Sequence, residues 1–235
     1  MRILALECSA TPASAAIVNN GFLEAASFIN VKLTHSQTLL KMTSDILSSA
    51  NISLSEIDGF CISSGPGSFT GVRIGISALK GLACAENKPC VCVSSLLAIA
   101  QNFTGNNCIV CAVMDARCNQ VYNALFKIEN GKIKRLCEDR AVKCSELAEE
   151  IKRKRTKLPI IVAGDGADVF YPFVENKENV KKALPQNKYQ TATGVAYAAI
   201  DDFLKGKTCT SGEILPAYLR LPQAERELKA KRGNE

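Results

Sequence analysis

Along its first thirty residues the chain alternates short apolar runs with turns, and then its apolar positions change to helical spacing. Residues 2–7, 14–18 and 22–28 read as strands. Asn19-Asn20-Gly21 between the last two is a hairpin signal, because Asn and Gly tolerate the positive φ of a tight turn. From 36 to 50, Leu39, Leu40, Thr43, Ile46, Leu47 and Ala50 recur at helical spacing and predict one side of a helix about 22 Å long. The preceding Thr34-His35-Ser36-Gln37 has the form of a capping box, with Thr34 as N-cap and Gln37 at N3. A strand at 58–63 follows. A glycine-rich loop at 65–71 then leads into a small-residue helix reaching about Cys84, a strand at 89–94 and a helix at 95–102.

The second half runs through the same order. Strands are expected at 108–115, 120–128 and 132–138, the last two joined by Asn130-Gly131. A helix at 144–155 carries Leu147 and Ile151, a buried-type strand spans 158–164, and a short helix spans 167–174. A final helix at 193–204 turns Val195, Ala198, Ala199 and Phe203 inward. Each half therefore begins with a strand ending on an acid (Glu7, Asp115), then a turn, a second strand, an Asn-Gly turn and a third strand. This duplicated βββαβα order predicts an α/β protein of two lobes, 1–105 and 106–220, facing a cleft, with helix 193–204 packing back on the first lobe. The layout resembles the actin-like ATPase and sugar-kinase superfamily, a likeness of fold that does not by itself give function.

Composition narrows the chemistry. With 235 residues and a single His, His35, the chain cannot supply an HExxH or HxxxH metal pair. His35 at the start of a helix reads as a local hydrogen-bonding residue. Of eleven cysteines, Cys8, Cys61, Cys84, Cys90, Cys92, Cys108 and Cys111 lie in apolar runs and read as small buried hydrophobes. Strand alternation sends Cys108 and Cys111 to opposite faces, so their CxxC spacing makes no zinc site. A reducing cytoplasm suits such a load. No run approaches the ~18 apolar residues of a membrane span.

The net charge of +6 is uneven: residues 1–120 hold 7 Lys/Arg against 7 Asp/Glu, and residues 121–235 hold 22 against 16. Lys152-Arg153-Lys154-Arg155 with Lys157, and the tail at 221–235, are the basic clusters. They read either as a solvated helix end and a flexible tail or as a contact for tRNA or another polyanion.

The most specific stretch is Gly65-Pro66-Gly67-Ser68-Phe69-Thr70-Gly71, continuing to Gly75. Its glycines permit close backbone approach, and the helix start beyond it suits either an anion or tight packing. It lacks the Gly-Lys-Ser/Thr of a Walker loop and the Gly-x-Ser-x-Gly of a nucleophile elbow. Glu7 and Asp115 are candidates to hold a metal through water across the cleft. The turn after Glu7, Cys8-Ser9-Ala10-Thr11-Pro12, has no glycine to let backbone approach phosphates.

Taken in order, the residues 2–7, His35-Ser-Gln-Thr-Leu-Leu40, the 65–75 stretch with Lys80-Gly81, Asp115-Ala-Arg117 before Val121-Tyr122, and Pro216-Ala-Tyr-Leu-Arg220 with Ala224-Glu225 resemble the TsaB (YeaZ) family of bacterial tRNA threonylcarbamoyladenosine biosynthesis proteins. The resemblance implies a scaffold with no catalytic residues, metal or cofactor of its own. Such a subunit pairs with the paralogous transferase TsaD and the ATPase TsaE, reaches tRNA through that complex, and forms a homodimer when alone. It also implies a nucleotide position at the TsaB–TsaD interface. The implied partner surface comprises His35, Leu39, Leu40, Ile46 and Leu47 on one helix with Gly71, Arg73, Gly75 and Lys80 on the next. The chain departs from the family pattern at Glu7-Cys8, where Asp-Thr is common, at Gln37, where Glu is frequent, and at Lys41, where Pro often stands. The other readings are a self-sufficient small-molecule kinase or ATPase using Glu7 and Asp115, and a tRNA-binding module using the basic second half.

Overall fold

The computed structural model describes residues 1–175 and 177–220. The basic tail at 221–235 and Ala224-Glu225 lie outside the described residues.

Two twisted sheets form the frame. In the first, β1 (Arg2–Glu7), β2 (Ala13–Asn19) and β3 (Phe22–Ile29) make an antiparallel meander, and β4 (Gly59–Gly65) and β5 (Cys90–Ser94) add in parallel, giving the order β3-β2-β1-β4-β5. In the second, β6 (Cys108–Asp115), β7 (Gln120–Glu129) and β8 (Lys132–Arg135) make the meander. Adding β10 (Ile160–Ala163) and β11 (Val180–Lys182) gives β8-β7-β6-β10-β11, the same order. The α/β reading with a duplicated element order thus holds at the level of register. Both hairpins turn on residues with positive φ, Asn20-Gly21 and Asn130-Gly131, as the tight-turn chemistry requires.

Six helices cover the sheets: α1 (His35–Ala50), α2 (Phe69–Glu86), α3 (Ser95–Gln101), α4 (Cys144–Arg153), α5 (Ala167–Phe170) and α6 (Ala192–Leu204). Helices α1 and α2 bury Leu39, Met42, Ile46, Val72, Ile76 and Leu79 against one face of the first sheet. Helix α6 covers the opposite face with Val195, Ala196 and Ala199. Helix α3 packs Leu96 and Ile99 on the second sheet, and α4 and α5 close that sheet's far side. The two inner helices are exchanged. Helix α3 follows the last strand of the first sheet yet lies on the second, whereas α6 follows the second sheet and lies on the first, and the two pack together between them.

Several local expectations are corrected. Thr34 is the N-cap of α1, but its hydroxyl makes no cap bond, because the Gln37 N–H donates to the Thr34 carbonyl at 3.0 Å instead. The core stripe of α1 is Leu39, Met42, Thr43 and Ile46. Leu40 and Leu47 lie one residue past that stripe and flank the solvent. Strand 132–138 stops at Arg135, because Asp139 turns inward to the Ser94 hydroxyl and the Arg135 guanidinium, and residues Arg140–Lys143 form a separate strand, β9, on β7. Helix 144–155 ends at Arg153, and helix 167–174 ends at Phe170 and continues as a 3-10 turn containing Pro172, whose missing N–H cannot continue the α-helix. Cys84 and Cys92 are exposed rather than buried, the first on the outer side of α2 and the second on edge strand β5. Cys108 and Cys111 enter different core clusters, as strand alternation demands. Among the described residues no helix is long and apolar enough to cross a membrane.

Candidate functional site

The loop between β4 and α2 is pressed against the turn that follows β1. A Cβ on Gly67 would stand 2.2 Å from the Ser9 carbonyl oxygen, and one on Gly71 would stand 2.2 Å from that of Cys8. Only hydrogen fits at either position, which is why two glycines recur four residues apart. The contact is bonded as well as packed. Ser68 N–H donates to Ser9 O at 2.7 Å, and Cys8 Sγ donates to Gly71 O at 3.2 Å. Ser68 is the N-cap of α2 and accepts from Gly71 N–H. Pro66 is buried behind the loop, Gly75 faces the Cys8 sulfur, and Phe69 and Thr70 open the helix. His35 closes the turn from the other side, with Nε2 at 2.8 Å from the Ala10 carbonyl. A carbonyl only accepts, so Nε2 carries the proton, and buried Nδ1 has no partner among the described residues.

Glu7 and Asp115 are not brought together. Glu7 is fully buried beneath the turn, and its Oε1 accepts from Ser9 N–H and Ser9 Oγ, both at 2.6 Å. Burial pushes its pKa up, against the pull of the Ser9 bonds. A carboxyl so buried presents no oxygen to the cleft, and the turn's Ser9 N–H is already used. These residues do not fit a metal-bound nucleotide, and among the described residues no cluster of three His, Cys, Asp or Glu suits a metal.

Asp115 does line the cleft, a space of about 380 Å³ that also touches Ser9, His35, Phe69, Arg117 and Asp165. Asp165 is a residue that the sequence pattern did not single out. Its Oδ1 accepts from Asp115 N–H at 3.3 Å, and burial, reinforced by the Asp115 charge, raises its pKa to about 6. The signal was Gly164-Asp165-Gly166, the second half's counterpart of the loop after β4, with a Gly164 Cβ position only 1.8 Å from Val113 O. The turn after β6 is left-handed at three successive residues, Arg117, Cys118 and Asn119, with φ of 64°, 53° and 53°. Non-glycine residues held there cost about 1 kcal/mol or more each. Asp115 supports the turn by accepting Arg117 N–H at 2.8 Å.

The segment before the tail straps across α2. Tyr218 stacks on Phe69 with ring centroids 4.4 Å apart and accepts from Arg73 Nε at 2.6 Å. Lys80 Nζ donates to Gly212 O at 3.0 Å, Ala217 N–H donates to Ser64 O at 2.8 Å, and Arg220 donates to Ala116 O. Arg73 and Lys80, expected at a partner surface, thus bind the chain's own strap, while Gly71 and Gly75 are buried on the inner side of α2. The remaining surface between α1 and α2 is a groove of about 450 Å³ lined by His35, Leu39, Leu40, Arg73, Ile74 and Ala78. Leu40 stands 49% exposed at its edge, whereas Leu39 and Ile46 are core. Leu47 lines an adjoining hollow of about 630 Å³ with Leu54 and Leu82.

Comparison with known proteins agrees with this architecture. Residues 30–228 match the family model described as TsaD, tRNA N6-adenosine threonylcarbamoyltransferase. The chain is similar to the tRNA threonylcarbamoyladenosine biosynthesis protein TsaB of Escherichia coli K12, 31% identical over 98% of this chain and 100% of that one. A tRNA N6-adenosine threonylcarbamoyltransferase of Kosmotoga olearia is 31% identical over 41% of this chain and 34% of its own length. Among solved structures, YeaZ from Pseudomonas aeruginosa superposes with a TM-score of 0.79 at 26% identity, covering 93% of this chain and 99% of that one. Its sequence runs the whole length of such a relative and its two sheets repeat one strand order, so the chain belongs to the TsaB (YeaZ) family of tRNA threonylcarbamoyladenosine biosynthesis proteins, built on the actin-like ATPase fold.

Proposed function

We propose that the chain is a non-catalytic partner subunit in tRNA threonylcarbamoylation, pairing with a TsaD-type transferase through the outer face of α1 and α2. The observation that carries this is the groove between those helices, with Leu40 half-exposed along an otherwise amphipathic α1 and a second apolar-walled hollow continuing it. The occupant follows from kinship: the transferase family model spans most of this chain, so transferase and partner share a frame on which like helices can face one another. The same face serves a homodimer when the transferase is absent, and a TsaE-type ATPase and tRNA join through the assembled complex.

Catalysis is assigned to the partner. The chain's single imidazole is committed to the Ala10 carbonyl, and Glu7 lies buried with its oxygen bound to Ser9. A nucleotide at the shared interface would then be held chiefly by residues of the transferase. A self-sufficient kinase would need Glu7 to face the cleft, and it lies fully buried with Oε1 bound to Ser9.

The test is Leu40→Glu. It places a charge on the groove edge without touching the core, so the variant keeps its fold and loses capture of the transferase in a pull-down. Wild-type capture by the folded variant would remove the interface assignment. Reconstitution with transferase, ATPase, tRNA and threonylcarbamoyl-AMP tests the role: equal modified adenosine with and without this chain would remove the scaffold reading.

A further inference from the structure

On the edge of the second sheet, far from the α1–α2 groove in the topology, lies a charged hollow that the pairing reading does not use. Helix α4 ends at Arg153, and residues 152–157 carry five cations in six positions. Two are accounted for. Lys152 pairs with Glu175 at 2.8 Å and Arg153 with Glu149 at 3.7 Å, and both sit in the last helical turn, where the helix dipole favours positive charge. Lys154, Arg155 and Lys157 lie beyond the helix, where that dipole fades, and no carboxylate pairs with them among the described residues.

These cations do not merely coat a convex surface. Lys152, Lys154 and Arg155 rim a hollow of about 290 Å³ that Glu149 and Glu175 also line, with Thr156 beside them and Phe173 at its wall. Ile151, Ile160, Val174 and Val180 are buried behind it, while Phe173 stays 36% exposed. A solvated helix end explains charge but not a concave apolar floor with an exposed ring. An anionic bilayer is flat and does not enter such a hollow, and an acidic peptide has no need of the ring. Glu149 and Glu175 are held by Arg153 and Lys152, and a nucleic-acid strand suits what remains: its phosphates are drawn to the unpaired Lys154, Arg155 and Lys157, and an unstacked base gains from an aromatic face.

We propose that this hollow, together with Lys157 just past its rim residues in sequence, is an RNA-contact site, in which Lys154, Arg155 and Lys157 meet the phosphodiester backbone and Phe173 receives the face of an unpaired base. The site gives this subunit its own hold on RNA, separate from whatever the transferase provides.

The experiment uses the full chain alone and a fluorescent tRNA transcript, with binding read by anisotropy at several KCl concentrations between about 50 and 200 mM. The variant K154E/R155E/K157E is compared with K32E/K132E/K207E, an equal charge change at exposed positions elsewhere. The patch variant binds at least about 10-fold more weakly than the control variant at ~100 mM KCl, and its plot of log affinity against log salt is shallower by about 2, since each phosphate contact contributes roughly 0.7–0.9 to the slope. Phe173→Ala weakens binding about 5-fold or more and leaves the slope unchanged. Circular dichroism confirms that each variant is folded. Equal affinity and slope for the two triple variants overturns the proposal, as does absence of wild-type binding up to about 100 µM, a concentration typical of even nonspecific nucleic-acid contact. Binding to phosphatidylserine vesicles without RNA binding overturns it in favour of a membrane. Pull-down of the transferase separates the two readings: K154E/R155E/K157E retains it, and L40E loses it while keeping the wild-type salt slope.

Discussion

Gly71→Ala is the sharpest test of the seal between α2 and the turn after β1. The added methyl would stand 2.2 Å from the Cys8 carbonyl oxygen and 3.3 Å from His35 Cδ2. A carbon and an oxygen do not approach that closely, so the start of α2 must retreat by about 1 Å from the backbone of the turn after β1. Overpacking of this kind costs about 1–3 kcal/mol. The retreat also stretches the Ser68–Ser9 bond and disturbs the Ser68 cap, each about 1 kcal/mol. Alanine's better helix propensity returns about 1 kcal/mol. The balance is a loss of about 3 kcal/mol, which for a chain of this size lowers Tm by roughly 6–12 °C. Gly81→Ala supplies the internal control: it lies on the same helix with nothing within 4 Å of its Cβ position, so only the propensity gain of about 1 kcal/mol operates and Tm rises by roughly 2–4 °C. Differential scanning calorimetry of the two variants decides the matter. A Gly71→Ala protein that melts with or above the wild type would refute the close approach on which the site description rests.

Asp165 is expected to make stability fall as pH rises. Its native pKa of about 6 lies above the ordinary carboxyl value of 3.8, so between those values the native state holds a proton that the unfolded chain has released. The penalty reaches about 3 kcal/mol above pH 6, and Asp165→Asn, which keeps an acceptor for Asp115 N–H, abolishes it; melting curves of both proteins from pH 4 to 7 that remain parallel would count against this. Tyr218→Phe removes the acceptor of Arg73 but keeps the stack on Phe69, costing about 1 kcal/mol, whereas Tyr218→Ala loses both and speeds proteolytic cutting of the strap; equal cutting rates for all three proteins would show that the strap is held elsewhere. Cys118→Asn substitutes a residue that tolerates positive φ and gains up to about 1 kcal/mol in urea unfolding, and a loss of stability would mean that the Cys118 side chain matters more than its backbone.

The strands were the most legible feature, because their apolar runs are short and bounded by turns, and the central ones, β1, β2, β4, β6 and β7, are buried along nearly their whole length. The duplicated order followed from the acid-ended first strands and the two Asn-Gly turns. The contacts that close the site were much less visible. No local pattern ties Tyr218 to Arg73 across 145 positions or Arg220 to Ala116 across 104, because such pairs depend on where the last segment returns. Glu7 was a candidate ligand because the duplicated order set it opposite Asp115 across a cleft; it is buried instead because the 65–71 loop, fitted by Gly67 and Gly71, covers the turn above it. The left-handed run at 117–119 was equally hidden, since Arg, Cys and Asn carry no shared turn signal. Lys80 and Arg73 were placed at a partner surface by the family resemblance, and nothing near them in sequence revealed that the strap would claim them.

The exchange of α3 and α6 bears on how the chain is made. During synthesis β1 to β5 emerge first, yet Ile3, Ala5, Ala16 and Val18 wait for α6 at 192–204 to cover them, and Ser64 waits for Ala217. The earliest sheet therefore leaves the ribosome with one apolar face bare, and it is finished only once residues 192–217 have appeared. Such a chain gains little from folding piece by piece, and a nascent or truncated product ending near residue 190 would carry a sticky half-sheet in need of a chaperone. The closing helix thus acts as a check on progress, hiding the first sheet's bare face only in molecules whose synthesis has passed residue 204.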